Sequence, residues 1–375
     1  MRIYLDNAAT TEVDTEVLEA MLPYLKGNFG NPSSIHSEGR IARAAIESAR
    51  KNVAKLIGAS IGEIFFTSGG TESNNMALKC AVRDLGVTRI ISSKIEHHCV
   101  LHSAESLQKQ KIQLDFVALD TKGRVLLDEL ESLLAQTPHQ KTLVSLMHAN
   151  NEIGTKINLE KIAALCHSYN AYFHSDTVQT VGHFPIDVEK IKLDFLSGSA
   201  HKFHGPKGVG FIYISKENQI QPFIDGGSQE RNMRGGTENI SGIVGLSKSL
   251  ELAVRDMQTR REKIESLKNQ LVSELLSNFE DIKFNGDWAG DTLYTVLSVS
   301  FPNTTKTDLL LLNLDIAGIS ASGGSACSSG VDAGSHVLAA IDSSDLRRTI
   351  RFSFSHHNTS EEINFLVNTL KMYLK

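Results

Sequence analysis

Two charged residues, Asp176 and Lys202, lie twenty-six positions apart, each just beyond a short apolar run. A carboxylate at the end of a buried strand is costly unless something cationic faces it, and a pyridinium nitrogen would be such a partner. A lysine in Ser199-Ala200-His201-Lys202, among hydroxyl and imidazole donors, suits an amine that forms an imine with a carbonyl group. Its rival, Lys207, lies between Pro206 and Gly208 in a turn and is expected to face solvent. Twenty-six residues leave room for one helix and one strand, which can set Asp176 and Lys202 across a single ring.

Other groups carry chemistry of their own. Ser68-Gly69-Gly70-Thr71 follows the apolar run Ile64–Thr67 and feeds a helical pattern. Such a turn offers unpaired N–H groups and the positive end of a helix dipole, which suit a phosphate. By itself it reads more simply as a capped helix start, and it has neither Walker nor dinucleotide-fingerprint spacing. His97 can stack on a ring or move protons. The pair His97-His98 lacks ligands at metal-binding spacing, so no metal is expected there. In His148-Ala149-Asn150-Asn151 an amide can donate to a ligand oxygen. Cys80 and Cys166 lie in apolar helical stretches and read as small buried residues. Cys327 differs, in a glycine- and serine-rich run, Gly323-Gly324-Ser325-Ala326-Cys327-Ser328-Ser329-Gly330. Together these are a phosphate cradle, a ring stacker, a pyridinium partner and an imine lysine, the set a pyridoxal ring needs to act as an electron sink.

The elements that must position them follow from the apolar pattern. Strand-like runs at Ile64–Thr67, Arg89–Ser92, Gln113–Val117, Thr142–Met147, Ala171–His174, Phe195–Ser197 and Gly210–Ile214 alternate with amphipathic stretches such as Leu159–Ser168. This predicts an α/β fold with a mostly parallel seven-stranded sheet flanked by helices. Ligands then bind beyond the carboxyl ends of the strands, where Gly70, His97, Asn151, Asp176 and Lys202 fall. A long helical segment near Val244–Phe279, strands near Leu297–Phe301, Ile319–Ala321 and Thr349–Phe354, and a helix near Ser360–Leu374 predict a smaller α+β domain. The expected division is 16–242 for the large domain, with 1–15 and 243–375 forming the small one. At 375 residues the chain exceeds what one core usually supports. A formal net charge of −5 argues against coating nucleic acid. No apolar run reaches membrane-spanning length, and Met1–Asp6 has no signal-peptide character. A cytoplasmic location is expected.

Several segments resemble the cysteine desulfurases of the NifS/IscS type, which are fold-type-I pyridoxal-phosphate enzymes of the class-V aminotransferase family. They are Leu5-Asp6-Asn7-Ala8-Ala9-Thr10-Thr11, Gly30-Asn31-Pro32-Ser33-Ser34-Ile35-His36, Thr67–Asn75, Asn150-Asn151-Glu152-Ile153-Gly154 and Ser199–Lys202. The likeness runs from residue 4 to about residue 355. It implies that Lys202 binds pyridoxal 5'-phosphate covalently, that Asp176 pairs with the pyridine nitrogen, and that His97 stacks on the ring. It further implies that Asn151 and Gln179 bond the ring hydroxyl, and that Gly70, Thr71, Ser199 and His201 hold the phosphate. Thr237 would reach the phosphate of the other subunit of a homodimer. Arg351 would grip the substrate carboxylate, and Asn7, Asn31 and His36 would line the substrate pocket.

The resemblance also implies the reaction. L-Cysteine would become L-alanine, with sulfur left as a persulfide on Cys327 for acceptor proteins such as an iron–sulfur scaffold. His97 would help ionise Cys327, because a thiol with a pKa near ~8.5 is mostly protonated at neutral pH. Selenocysteine lyase or aminotransferase activity is the alternative on the same cofactor. A non-catalytic sulfur-relay partner is disfavoured by the intact set Lys202, Asp176, His97 and Cys327.

Overall fold

The computed structural model describes residues 2–323, 334–341 and 347–374; Cys327 lies outside the described residues. A seven-stranded sheet has the order Ile64–Thr67, Gly210–Ile214, Phe195–Ser199, Tyr172–Asp176, Thr142–Ser145, Arg89–Ser92, Gln113–Phe116. Gly210–Ile214 runs antiparallel to both its neighbours. The remaining neighbours are parallel. All seven expected strands form. Five of them (Ile64–Thr67, Arg89–Ser92, Thr142–Ser145, Phe195–Ser199 and Gly210–Ile214) are buried along their whole length. Helices cover both faces of such a sheet, which is why these runs are apolar without alternation.

The sheet positions the site through the ends of its central strands. Tyr172–Asp176 and Phe195–Ser199 lie side by side, with Asp176 opposite Ser197. Both therefore deliver their last residues to the same edge. Helix Gly70–Leu85 starts at that edge, and Gly86, in the left-handed region at φ 73°, ends it with its N–H on the Ala81 carbonyl.

Three larger apolar cores form, and the third takes in Phe65, Met76, Leu78, Ile90, Phe195 and Ile212. The first takes in Ile46, Val53, Phe66, Val144, Phe173, Leu196 and Phe211. The second takes in Ile3, Leu5, Ile264, Leu271, Val296, Phe352 and Leu366. It lies under an antiparallel sheet of Arg347–Ser353, Val296–Pro302 and Lys283–Phe284. Strand Ile3–Tyr4 pairs in parallel with Ile319–Ser320, which brings the N-terminal segment into this part.

The helical stretch expected near 244–279 is two helices, Ile240–Arg255 and Met257–Asn278, broken at Asp256. The expected seam at 242/243 falls inside the first of them. Its Ile243, Leu246, Leu250 and Ala253 belong to the first core, and it packs on helices Thr15–Lys26 and Ser37–Leu56. Among the described residues, no helix is long and apolar enough to cross a membrane.

Candidate active site

A cleft of about 380 Å³ opens at the strand ends, a volume within the usual range for small-molecule sites. Gly70, Thr71, His97, Asn151, Asp176, Gln179, Ser199, His201, Lys202 and Arg351 all line it. These ten residues span most of the sequence and were named from it, nine for the cofactor and Arg351 for the substrate carboxylate.

Asp176 is buried at the floor. Its Oδ2 accepts from Asn74 Nδ2 at 2.6 Å, and its Oδ1 from the Val178 N–H at 2.9 Å. Asn74 is braced in turn. Its Oδ1 lies 3.1 Å from His174 Nε2, and His174 Nδ1 lies 2.8 Å from Ser145 Oγ. Burial pushes the His174 imidazole down to about 3. It is therefore neutral, and with Nε2 donating to Asn74, Nδ1 accepts from Ser145. This row of hydrogen bonds fixes the Asn74 amide so that its N–H points at the carboxylate.

Lys202 ends a short turn, Ala200–Lys202, directly after the strand that delivers Ser199. Its Nζ donates to the carbonyls of Ala8 at 2.6 Å and Ala9 at 2.8 Å. Lys207 is exposed, as expected. His97 is the N-cap of helix His98–Gln108, and its Nδ1 accepts from the Cys99 N–H at 3.2 Å. Cys99 Sγ lies 3.0 Å from the same nitrogen. Burial, the largest influence, holds the His97 imidazole below its ordinary range against the opposing pull of Asp176. Burial and then the neighbouring Lys202 push His201 down to about 4. The His201 ring is thus a neutral donor beside the start of helix Gly70–Leu85. A Cβ on Gly70 would sit 2.6 Å from Val178 Cγ2, so a side chain there would have to displace Val178.

At the opposite wall Arg351 is almost wholly buried, at 1% exposure. Its Nη1 donates to the Asn151 carbonyl at 2.9 Å, and its Nη2 to Asp6 Oδ1 at 2.8 Å. Its Nε has no partner among the described residues. A buried, unpaired guanidinium N–H is costly on its own, and a carboxylate is an acceptor of the geometry it suits. Asn150 explains how Asn151 reaches the cleft. The Asn150 side chain ties down the turn, accepting from the N–H groups of Glu152 and Ile153 and donating to the Ile95 carbonyl. Gln179 donates to the Ala8 carbonyl at 3.0 Å.

Not every expected residue comes to this cleft. Asn7 is buried behind it, donating to the Ser353 carbonyl at 2.9 Å. Asn31 and His36 are exposed, and His36 caps helix Ser37–Leu56. Thr237 lines a separate pocket with Arg234 and Glu238. Asn74, His174 and Cys99 were not singled out from the sequence. Two signals were available. Asn74 follows Gly70 by one helical turn and so shares its face. His174 precedes Asp176 by two residues on a strand and so points to the same side.

The chain matches the family "Aminotransferase class-V" over residues 3–366. It is 44% identical over 377 residues to the cysteine desulfurase IscS of Dictyoglomus turgidum, covering 100% of this chain and 94% of that protein. Among solved structures, a NifS-like protein superposes with a TM-score of 0.92 at 38% identity, covering 100% of this chain and 99% of the other. A structure described as SspA in complex with cysteine superposes with a TM-score of 0.81 at 32% identity, covering 96% of this chain and 100% of that one.

Proposed function

The chain belongs to the cysteine desulfurases of the class-V aminotransferase family, and on that basis we propose that L-cysteine binds between Arg351 and Lys202, gives up its sulfur to Cys327 and leaves as L-alanine. The observation that carries the reading is the shared cleft: a buried carboxylate, a lysine amine and a buried arginine whose Nε has no partner among the described residues line one cavity.

The family works with pyridoxal 5'-phosphate, and the donor set fits it. Asp176, braced by Asn74, is a fixed anion for a pyridine N–H. The N–H groups at the start of helix Gly70–Leu85, the hydroxyls of Thr71 and Ser199 and the neutral His201 ring are donors suited to a phosphate. His97 would lie against the ring, and Asn151 and Gln179 would reach its hydroxyl. When bound, the cofactor supplies an electron sink for charge developing at the substrate Cα.

The chain's own residues do the rest. Arg351 holds the substrate carboxylate through Nε and so fixes the amino acid's orientation. Lys202 Nζ takes the proton from Cα and returns it during turnover. The Cys327 thiolate attacks the substrate sulfur. An S–S bond forms, the substrate C–S bond breaks with its electron pair left on the substrate carbon, which takes up a proton to become the alanine methyl group, and the enzyme is left with a persulfide. That sulfur would pass to acceptor proteins, an iron–sulfur scaffold among them. A homodimer would bring Thr237, Asn31 and His36 to the partner's cleft. The exposed apolar row Leu18, Leu22, Leu25, Phe29 and Ile35 supports such an assembly.

The test is borohydride reduction of the holoenzyme followed by peptide mapping, with alanine and sulfide measured from cysteine plus a reductant. The pyridoxyl mass is expected on Lys202, and Cys327→Ala is expected to keep the visible absorbance but release no sulfide. A pyridoxyl group on another lysine, or undiminished sulfide from the variant, overturns the assignment.

A further inference from the structure

We propose that His204, His356 and His357, with the carboxylate of Asp14, form a binding site for a divalent zinc-class cation at the seam between the Lys202 turn and the strand that carries Arg351. The three imidazoles each offer one ring nitrogen, and these atoms lie within 4.8 Å of one another. Ring centroids are 4.6 Å apart for His204 and His356, 5.2 Å for His204 and His357, and 4.0 Å for His356 and His357. Asp14 Oδ1 lies 3.1 Å from His357 Nε2 and 3.6 Å from His356 Nε2, and 3.7 Å from His204 Nδ1, the nitrogen on the far side of that ring from its ligand atom.

Two features point beyond chance packing. Asp14 stands at the N-cap of helix Thr15–Lys26, yet its side chain makes no capping hydrogen bond; the carboxylate is turned into the cluster instead. His204 Nδ1 lies 2.9 Å from the Glu12 carbonyl, and the His204 N–H donates to Thr11 Oγ1 at 2.8 Å. With Nδ1–H donating to a carbonyl, the tautomer is fixed and Nε2 presents its lone pair, the arrangement that outer hydrogen bonds give metal-binding histidines.

Imidazole and carboxylate donors suit zinc and its neighbours in the first transition row. Zinc–nitrogen bonds of about 2.0–2.1 Å place tetrahedral ligand atoms roughly 3.3 Å apart. The cluster must therefore contract slightly, and His357, half exposed on the rim, has the freedom to swing inward. Arg260 is the cation nearest the carboxylate. It takes the far oxygen, Oδ2, at 2.9 Å, and is itself 3.8 Å from Asp256.

The position gives the site a consequence. His204 follows Lys202 by two residues and His356 follows Arg351 by five. His204, His356 and Lys202 also border one small cavity of about 20 Å³. A bound ion would tie together the two segments that carry the walls of the active cleft.

The test uses chelator-washed holoenzyme carrying Cys327→Ala, so that this thiol contributes nothing, without added cysteine. Zinc titration by calorimetry is expected to show one tight equivalent per chain. A cobalt difference spectrum should show the absorption of a low-symmetry nitrogen–oxygen site. His356→Ala/His357→Ala should lose that equivalent while keeping the cofactor absorbance and far-ultraviolet dichroism. His357→Gln alone, at an exposed position, should weaken binding at least about tenfold. His98→Ala/His102→Ala should leave it intact. No tight equivalent in the parent, or an unchanged one in the folded double variant, overturns the proposal.

Discussion

Glu96 lies beneath the cleft with an exposure of 1%. Its Oε1 accepts from Ser93 Oγ and from the Met147 N–H, both at 2.9 Å, and its Oε2 has no partner among the described residues. Burial first, and then the neighbouring Asp176 charge, push this carboxyl from 4.5 up to about 8. Between those values the folded chain holds a proton that the unfolded chain has released. The stability tied to this proton is full below 4.5, falls as pH rises through the interval, and is gone above about 8.

The interval spans roughly 3.5 pH units at about 1.4 kcal/mol each, or roughly 5 kcal/mol in all. The stretch from pH 6 to 8 accounts for about 2.7 kcal/mol of it. At about 2.1 cal/mol/K per residue, a chain of 375 residues moves about 1.3 °C per kcal/mol. Glu96→Gln imitates the protonated acid without titrating. Thermal unfolding of both proteins in saturating pyridoxal phosphate should therefore show the wild type losing roughly 3–4 °C relative to the variant between pH 6 and 9. Parallel curves over that range would refute the reasoning, because they would mean that the buried carboxyl does not titrate there.

Two further outcomes follow from the cleft. Arg351→Lys removes the planar guanidinium with its Nε, so steady-state kinetics should show KM for cysteine rising and kcat/KM falling roughly 10- to 100-fold, the value of a charged hydrogen bond; an unchanged KM would place the substrate carboxylate elsewhere. Asn74→Ala removes the 2.6 Å donor to Asp176 and should loosen pyridoxal phosphate by roughly 10- to 100-fold in equilibrium dialysis. Unaltered retention would show that the Asp176 carboxylate does not depend on that amide.

The sequence was most informative where its signals are local. Short strand-like runs marked all seven strands of the large sheet, most plainly the five buried along their whole length, because a strand buried on both faces has little choice of composition. The residues directly after those runs, Gly70, His97, Asn151, Asp176, Ser199 and Lys202, were legible as a site because parallel strands all point their carboxyl ends one way. The helix break at Asp256 was not legible, since the apolar spacing continues across it and packing decides which core each half joins.

Other features were decided by the tertiary structure alone. The bracing of Asp176 by Asn74 and His174, the burial of Glu96 against Met147, the Arg351 guanidinium against Asp6 and the gathering of Asp14, His204, His356 and His357 join residues as many as 345 positions apart. Periodicity tells which side of its own element a residue faces. It does not tell which distant element will lie opposite, because strand order and the docking of the cores are set by the summed burial of many side chains. Hydrogen-bond partners, and with them the protonation of buried groups, exist only once that burial is complete.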